Sequence, residues 1–214
     1  MLKIFVKKNS VLILSFTILL SVSSNATVSV KDYKNNQWKN EWSIGIQDEI
    51  KNENYTILER DLDQKDLDSI GCPDYNFATD DEKIDFWIIF FSALARSESG
   101  LNEKAKSPKM RGHRSYGLLQ LAPETAEKRC DLYLLDQQVL DGESNLRCGV
   151  TLMDWQLSGA LEKNGKKLRA DLENQLFGKR ILLWGPLRQN DKMGRKRLND
   201  WFKQHVNQLP FCDL

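Results

Sequence analysis

The chain has 214 residues, with 31 Lys and Arg against 30 Asp and Glu, enough for one domain with a real core and close to electrically neutral. Without the three lysines of the first 26 residues, 28 basic residues would face 30 acidic ones, a formal charge of about −2. Such a balance excludes nucleic acid as the default partner.

Lys3, Lys7 and Lys8, the apolar stretch Val11 to Val22 and the small residues Ser24-Asn25-Ala26 read as a secretory signal over residues 1–26, with Thr27 as the mature N-terminus. The apolar stretch is shorter than the roughly 20 residues that span a bilayer, which argues against an uncleaved anchor. No Cys stands at the cleavage site to take a lipid. The expected product is exported, periplasmic or secreted, without a stable membrane anchor and monomeric. All four Cys lie in the mature part, and an even number in an exported chain points to two disulfides, for which three pairings exist. Nesting favours Cys130 with Cys148, a short local loop, and Cys72 with Cys212, which ties the start of the domain to its end. A zinc site is the rival use of these Cys, but no CxxC pair or His cluster accompanies them, and His113 and His205 stand far apart. No metal or cofactor is expected.

Residues 27–70 form a polar leader rich in Asn, Lys, Asp and Glu, with isolated aromatics at Tyr33, Trp38, Trp42 and Tyr55 and one helix within Asp61 to Ile70. The packed domain is expected over residues 71–214, beginning near Cys72-Pro73. Thr79 with Glu82 three residues on, and acids in between, is a capping box that opens a long helix. Ile84, Trp87, Ile88, Phe91, Leu94 and Ala95 follow at helical spacing. Phe86, Ile89 and Phe90 make the other side apolar as well, the pattern of a central buried helix. Gly100 is its natural stop.

Glu98 lies in the last turn of this helix. At about 3.6 residues per turn, Trp87 and Phe91 fall within roughly 20 degrees of it around the axis, so the acid shares the buried face. Burial and the negative end of the helix both disfavour an ionised carboxylate, and an acid that holds its proton can serve as a general acid near neutral pH. Downstream, Pro123-Glu124 opens a helix through about Tyr133, another runs from Asn145 to Lys163, and two more cover part of Leu168 to Arg188 and Arg195 to Gln208. No alternation of period two stands out, so the domain reads as mainly helical.

Several motifs follow one another in a recognisable order: Glu98-Ser99-Gly100-Leu101-Asn102; Ala105 and Ser107-Pro108; Ser115 to Ala126 (Ser-Tyr-Gly-Leu-Leu-Gln-Leu-Ala-Pro-Glu-Thr-Ala); and Asn145 to Met153 with Gly149 inside it. This stretch, about Phe86 to Leu157, resembles the catalytic domain of soluble-type lytic transglycosylases, which share the lysozyme fold with goose-type lysozymes. Each motif alone is weak; their order and spacing carry the resemblance. It implies a mainly α, lysozyme-like domain of the α+β lysozyme superfamily, and a glycosidase acting on peptidoglycan strands with Glu98 as general acid. Breaking a glycosidic bond requires a proton on the leaving oxygen, and a Glu raised by burial to about 6 or 7 retains one to give. In the transglycosylase reading Glu98 then acts as base while the sugar's own 6-hydroxyl closes a 1,6-anhydro ring, so no second carboxylate is needed. In the alternative, a hydrolytic muramidase, including one selective for deacetylated wall, a water replaces that hydroxyl and a second acid positions it. Glu103, Asp131, Asp141 and Glu143 are candidates for that acid. An alternative of another class is a wall-binding protein without turnover.

Gly117 to Gln120 is expected to line the cleft, Gly for close backbone approach and Gln120 as both donor and acceptor. A surface turn capping the next helix is the rival reading. Ser115, near Glu98, and Tyr116, stacking on a sugar, are further candidates, while Asn145 reads as scaffold. The pattern departs from the family in three places. About four extra residues make Lys109 to Arg114 a longer basic loop, Ser115 replaces the usual Ala, and the later Tyr-Asn-Ala-Gly motif is absent. Leu183 to Arg188 occupies its place, with Trp184 as a cleft wall or core residue. Arg188, Lys192, Arg195, Lys196 and Arg197 form either a solvated helix face or an attractor for anionic wall.

Overall fold

The computed structural model describes residues 28–30, 37–52, 54–109, 113–134, 137–159, 162–163, 166–167, 173–179 and 183–212. The expected signal segment and part of the stretch from Leu168 to Arg188 lie outside these. Six α-helices frame the described chain: α1 Asn40–Ile50, α2 Gln64–Ile70, α3 Asp80–Ser99, α4 Pro123–Cys130, α5 Gly142–Leu157 and α6 Lys192–His205. A hairpin of two short antiparallel strands, β1 Glu162–Lys163 and β2 Lys166–Lys167, follows α5.

α3 begins and ends where its sequence dictates. The Thr79 hydroxyl accepts from the Glu82 N–H, and the Glu82 carboxylate accepts from the Thr79 N–H at 2.8 Å. Gly100 closes the helix in the left-handed conformation at φ +66°. Between these caps Phe86, Trp87, Ile88, Ile89, Phe90 and Phe91 are all buried, so the helix is enclosed by core on both faces. α6 packs along one side of it, and α1 on another, while α1 and α4 also pack on α5. The indoles on and beside α3 spend their N–H groups on hydroxyls: Trp87 donates to the Tyr75 hydroxyl at 2.9 Å and Trp201 to the Ser92 hydroxyl at 3.0 Å.

The core extends upstream of Cys72. Trp38, Trp42, Ile46 and Ile50 stand four residues apart, form one stripe of α1 and its approach, and are buried in the same cluster as α3. The disulfides are Cys72–Cys212 and Cys130–Cys148, the nested pairing expected. α4 is shorter than its sequence suggests because Asp131 turns left-handed at φ +53°. α5 starts at Gly142, ahead of Asn145, because Asp141 is its cap and accepts from the Ser144 N–H at 2.8 Å. α6 likewise starts ahead of Arg195, capped by Asp191. Among the described residues of Leu168 to Arg188 the only helix is a single 3-10 turn, Gly185–Leu187.

Candidate active site

Glu98, one residue from the end of α3, opens into a cleft of about 640 Å³. Its walls come from α3 (Glu98, Ser99), the segment Ala105 to Pro108, His113 to Ser115, Gln120 and Ala122, and the segment Leu183 to Arg188. A side chamber of about 270 Å³ continues past Ser115 and Gln120 to Thr125 and Leu152.

The Glu98 Oε1 is buried and has no hydrogen-bond partner. Burial pushes the carboxyl up to about 7, and the neighbouring Asp191 charge pushes the same way. The Gly185 N–H and the Arg188 and Arg197 guanidiniums pull against them and lose. Among the described residues no ion pair reaches Glu98, and Arg96, the closest cation on its own helix, lies over the Trp201 ring at 5.3 Å. The group is therefore a protonated or readily protonated acid at neutral pH, in reach of whatever occupies the cleft.

The wall opposite is a tight turn fixed from behind. Asn145, fully buried on α5, accepts from the Leu119 N–H at 2.8 Å and donates to the Val139 carbonyl at 2.8 Å and the Tyr116 carbonyl at 3.2 Å. The turn fits against α5 because Gly149 has no side chain; a Cβ there would overlap the Leu119 methyl, and one on Gly117 would overlap the Asn145 amide and the Val139 carbonyl. Gly117 and Gln120 both take positive φ, +77° and +48°. The Gln120 amide donates to the Gly117 carbonyl at 2.9 Å, which leaves its carbonyl oxygen as the acceptor on the cleft side.

Of the residues singled out in the sequence, the structure brings Glu98, Ser115, Gln120 and Trp184 together around the cleft. Trp184 is nevertheless only 2% exposed and spends its indole N–H on the Leu119 carbonyl at 3.0 Å, so it braces the turn as well as forming the wall. Tyr116 and Gly117 stand outside the lining. Tyr116 is drawn into backbone bridges with Lys106 and Leu121 and packs its ring against the core. Gly117 is turned toward Asn145. None of the four proposed second acids lines the cleft: Glu103 pairs with Lys39 at 3.1 Å, Asp141 caps α5, Glu143 pairs with Arg147 at 2.9 Å, and Asp131 lies by Cys130 and Cys148. The acid that does stand beside Glu98 is Asp191. Its sequence signal, an Asp just ahead of a helix, announces a cap and nothing more.

The basic run after Arg188 divides by role. Arg195 is turned inward, donating to the Pro186 and Leu187 carbonyls at 2.7 and 2.9 Å with its guanidinium over the Phe177 ring. Lys196 pairs with Asp200, and Arg188 lines the cleft together with Lys106, His113 and Arg114.

A buried acid thus closes the central helix of a helical domain and faces a turn clamped by an Asn from a neighbouring helix. Residues 77–170, from the approach to α3 through α5 and the hairpin, match the Transglycosylase SLT domain family. The chain thus carries a domain of that family, and it is a peptidoglycan glycosidase of lytic transglycosylase or lysozyme-like type. Among solved structures, a Glu-to-Gln mutant of Bd0314 DslA is similar with a TM-score of 0.61 and 19% identity, over 86% of this chain and 98% of that one. The wild-type form 2 of Bd0314 DslA is similar with a TM-score of 0.56 and 22% identity, over 80% and 90%. No curated protein sequence matches the chain.

Proposed function

We propose that the chain cleaves the β-1,4 bond between N-acetylmuramic acid and N-acetylglucosamine as a lytic transglycosylase, with Glu98 acting first as general acid and then as base. The observation that carries this reading is Glu98 itself, a buried carboxyl held near 7 at the floor of an open cleft. Protonated, it donates to the leaving glycosidic oxygen. The carboxylate that results takes the proton of the sugar's 6-hydroxyl as that oxygen closes on the anomeric carbon, and the acid is restored. Proton count balances without water. Glu98 is the one carboxylate among the described lining residues, and an internal hydroxyl, unlike a water, asks for no second acid to place it. In this reading Ser115 and Gln120, which line the cleft, hydrogen-bond sugar hydroxyl and amide groups, and Trp184 is the apolar wall.

The protein is further proposed to act outside the cytoplasm, after removal of residues 1–26; two disulfides support an oxidising compartment, and no helix of the described residues is long and apolar enough to cross a membrane. Mass spectrometry of muropeptides released from purified sacculi tests the reaction. Anhydro ends, one water lighter than reducing ends, are expected; reducing ends alone would assign hydrolysis, and no release by the wild-type protein would leave a wall-binding role.

A further inference from the structure

We propose that Asp191 is a positioning residue for the reaction: its carboxylate, fixed at the cap of α6 and facing Glu98 across a residue without a side chain, keeps the proton on the general acid. This deepens the glycosidase reading above and rests on it.

The geometry is specific. A Cβ placed on Gly185 would lie 2.9 Å from the Asp191 Oδ2 and 3.9 Å from the Glu98 Oε1, so both carboxylates converge on the space that glycine leaves empty. The Glu98 oxygen on that side is the buried one with no hydrogen-bond partner. Asp191 cannot swing away, because its Oδ1 accepts from the Gly194 N–H at 2.8 Å, and the positive end of α6 favours a negative charge at that cap. The pieces around the pair are locked in turn. The Ser97 hydroxyl donates to the Gly194 carbonyl at 2.9 Å, joining the start of α6 to the end of α3. Arg195 holds the Pro186 and Leu187 carbonyls, and the Asp191 N–H donates to the Arg188 carbonyl at 3.2 Å, which together set the segment that carries Gly185.

Two nearby carboxylates resist ionising together, so a fixed charge on one favours the proton on the other. The groups facing Glu98 from the elements packed on it are Asp191 and Arg197 of α6 with its cap, and Arg188 and the Gly185 N–H of the preceding segment. Lys106, His113 and Arg114 line the same cleft. All the cations favour the ionised form, and Asp191 is the group whose charge opposes them. The Asp191 oxygen is turned to Gly185 and Gly194 and is not part of the cleft lining, so it acts through Glu98 and not on the sugar.

Asp191→Asn and Asp191→Ser separate the two things this residue does, since both side chains cap a helix as well as Asp does and neither carries its charge. The ionisation of Glu98 is followed by carbon NMR as the carboxyl resonance missing from Glu98→Gln, beside the pH profile of muropeptide release and the melting temperature. The expected result in both variants is a titration midpoint lower by about one pH unit, the basic limb of the activity profile displaced with it, and release at pH 7 reduced about fivefold, with melting nearly unchanged at pH 5, below both midpoints. A midpoint that stays in place in both variants overturns the proposal, even if activity falls. If the wild-type protein releases no muropeptides, the reaction assigned above fails, while the NMR midpoint still decides whether Asp191 holds the proton.

Discussion

Glu98→Gln should make the protein more stable, and increasingly so as pH rises. Folding lifts this carboxyl from its ordinary 4.5 to about 7. Between those values the folded protein holds a proton that the unfolded chain has already released, so stability falls as pH climbs through the window and the full cost stands above it. At about 1.4 kcal/mol per pH unit the cost above pH 7 is about 3 kcal/mol, and most of it develops between pH 5 and pH 8. Glutamine has the same shape and no charge to desolvate. Its amide must find partners where the Glu98 Oε1 has none, which lowers the gain equally at every pH and leaves the pH-dependent part intact. Other titrating groups, such as Asp85, held near 6 by burial, behave alike in both proteins and cancel in the comparison. Urea denaturation of wild type and variant at pH 5 and pH 8 reads the quantity directly. The same substitution should abolish muropeptide release. A stability difference that does not change with pH would refute the reasoning, because it would mean that Glu98 is ionised in the folded protein at no cost and is not a proton donor at neutral pH.

Asn145→Ala removes one acceptor and two donor contacts from a fully buried clamp and leaves the Leu119 N–H without a partner. A loss of about 2 to 4 kcal/mol in urea denaturation is expected, with activity falling further as the turn that carries Gln120 loosens. Gly117→Ala places a Cβ against the Val139 carbonyl, a backbone atom that cannot rotate aside, at a φ of +77°, and should cost about 2 kcal/mol or more by the same measurement. Replacing each disulfide by a pair of alanines should lower stability by about 5 kcal/mol for Cys72–Cys212, with a separation of 140 residues, and by about 3 kcal/mol for Cys130–Cys148, with a separation of 18, measured as denaturation midpoints without reductant.

What the sequence made legible was local or topologically simple. The capping box at Thr79 and the stop at Gly100 depend on residues within one turn of the helix ends, and the cysteine pairing follows from nesting. α1 carried a readable signal too, since Trp38, Trp42, Ile46 and Ile50 repeat every fourth residue. The polar residues between them gave the stretch the composition of a leader, although composition averages over the very period that buries one face. Tyr116 shows a different limit. An aromatic beside a cleft motif invites a stacking role, while in the structure its backbone bridges to Lys106 and Leu121 and its half-buried ring packs against the core. Asp191 could be recognised as a cap and not as a neighbour of Glu98, because that proximity exists only once α6 has docked on α3 through Ser97 and the Leu183 to Arg188 segment has been drawn in by Arg195. The family match ends at residue 170, before the Leu183 to Arg188 segment, Asp191 and α6.

The cleft combines two electrical demands that conflict. Lys106, Arg114 and Arg188 on its walls suit an anionic glycan with carboxylate-bearing stems, yet every cation near Glu98 favours releasing the proton that the reaction needs. Depth resolves the conflict. Lys106 and Arg114 sit where water and salt screen them over about 8 Å, whereas Asp191 meets Glu98 in the interior, across the gap at Gly185. Of the cations, Arg188 and Arg197 do act on Glu98, but more weakly than burial and Asp191. The two functions should therefore separate by mutation. Lys106→Gln with Arg114→Gln is expected to weaken binding to sacculi several-fold at low salt and much less at high salt, while the basic limb of the pH profile stays within about 0.2 units of wild type. An upward displacement of that limb as large as the downward one expected for Asp191→Asn would mean that the rim charges reach the acid as effectively as Asp191 does. The division between a screened, wall-attracting rim and a proton-retaining floor would then fail.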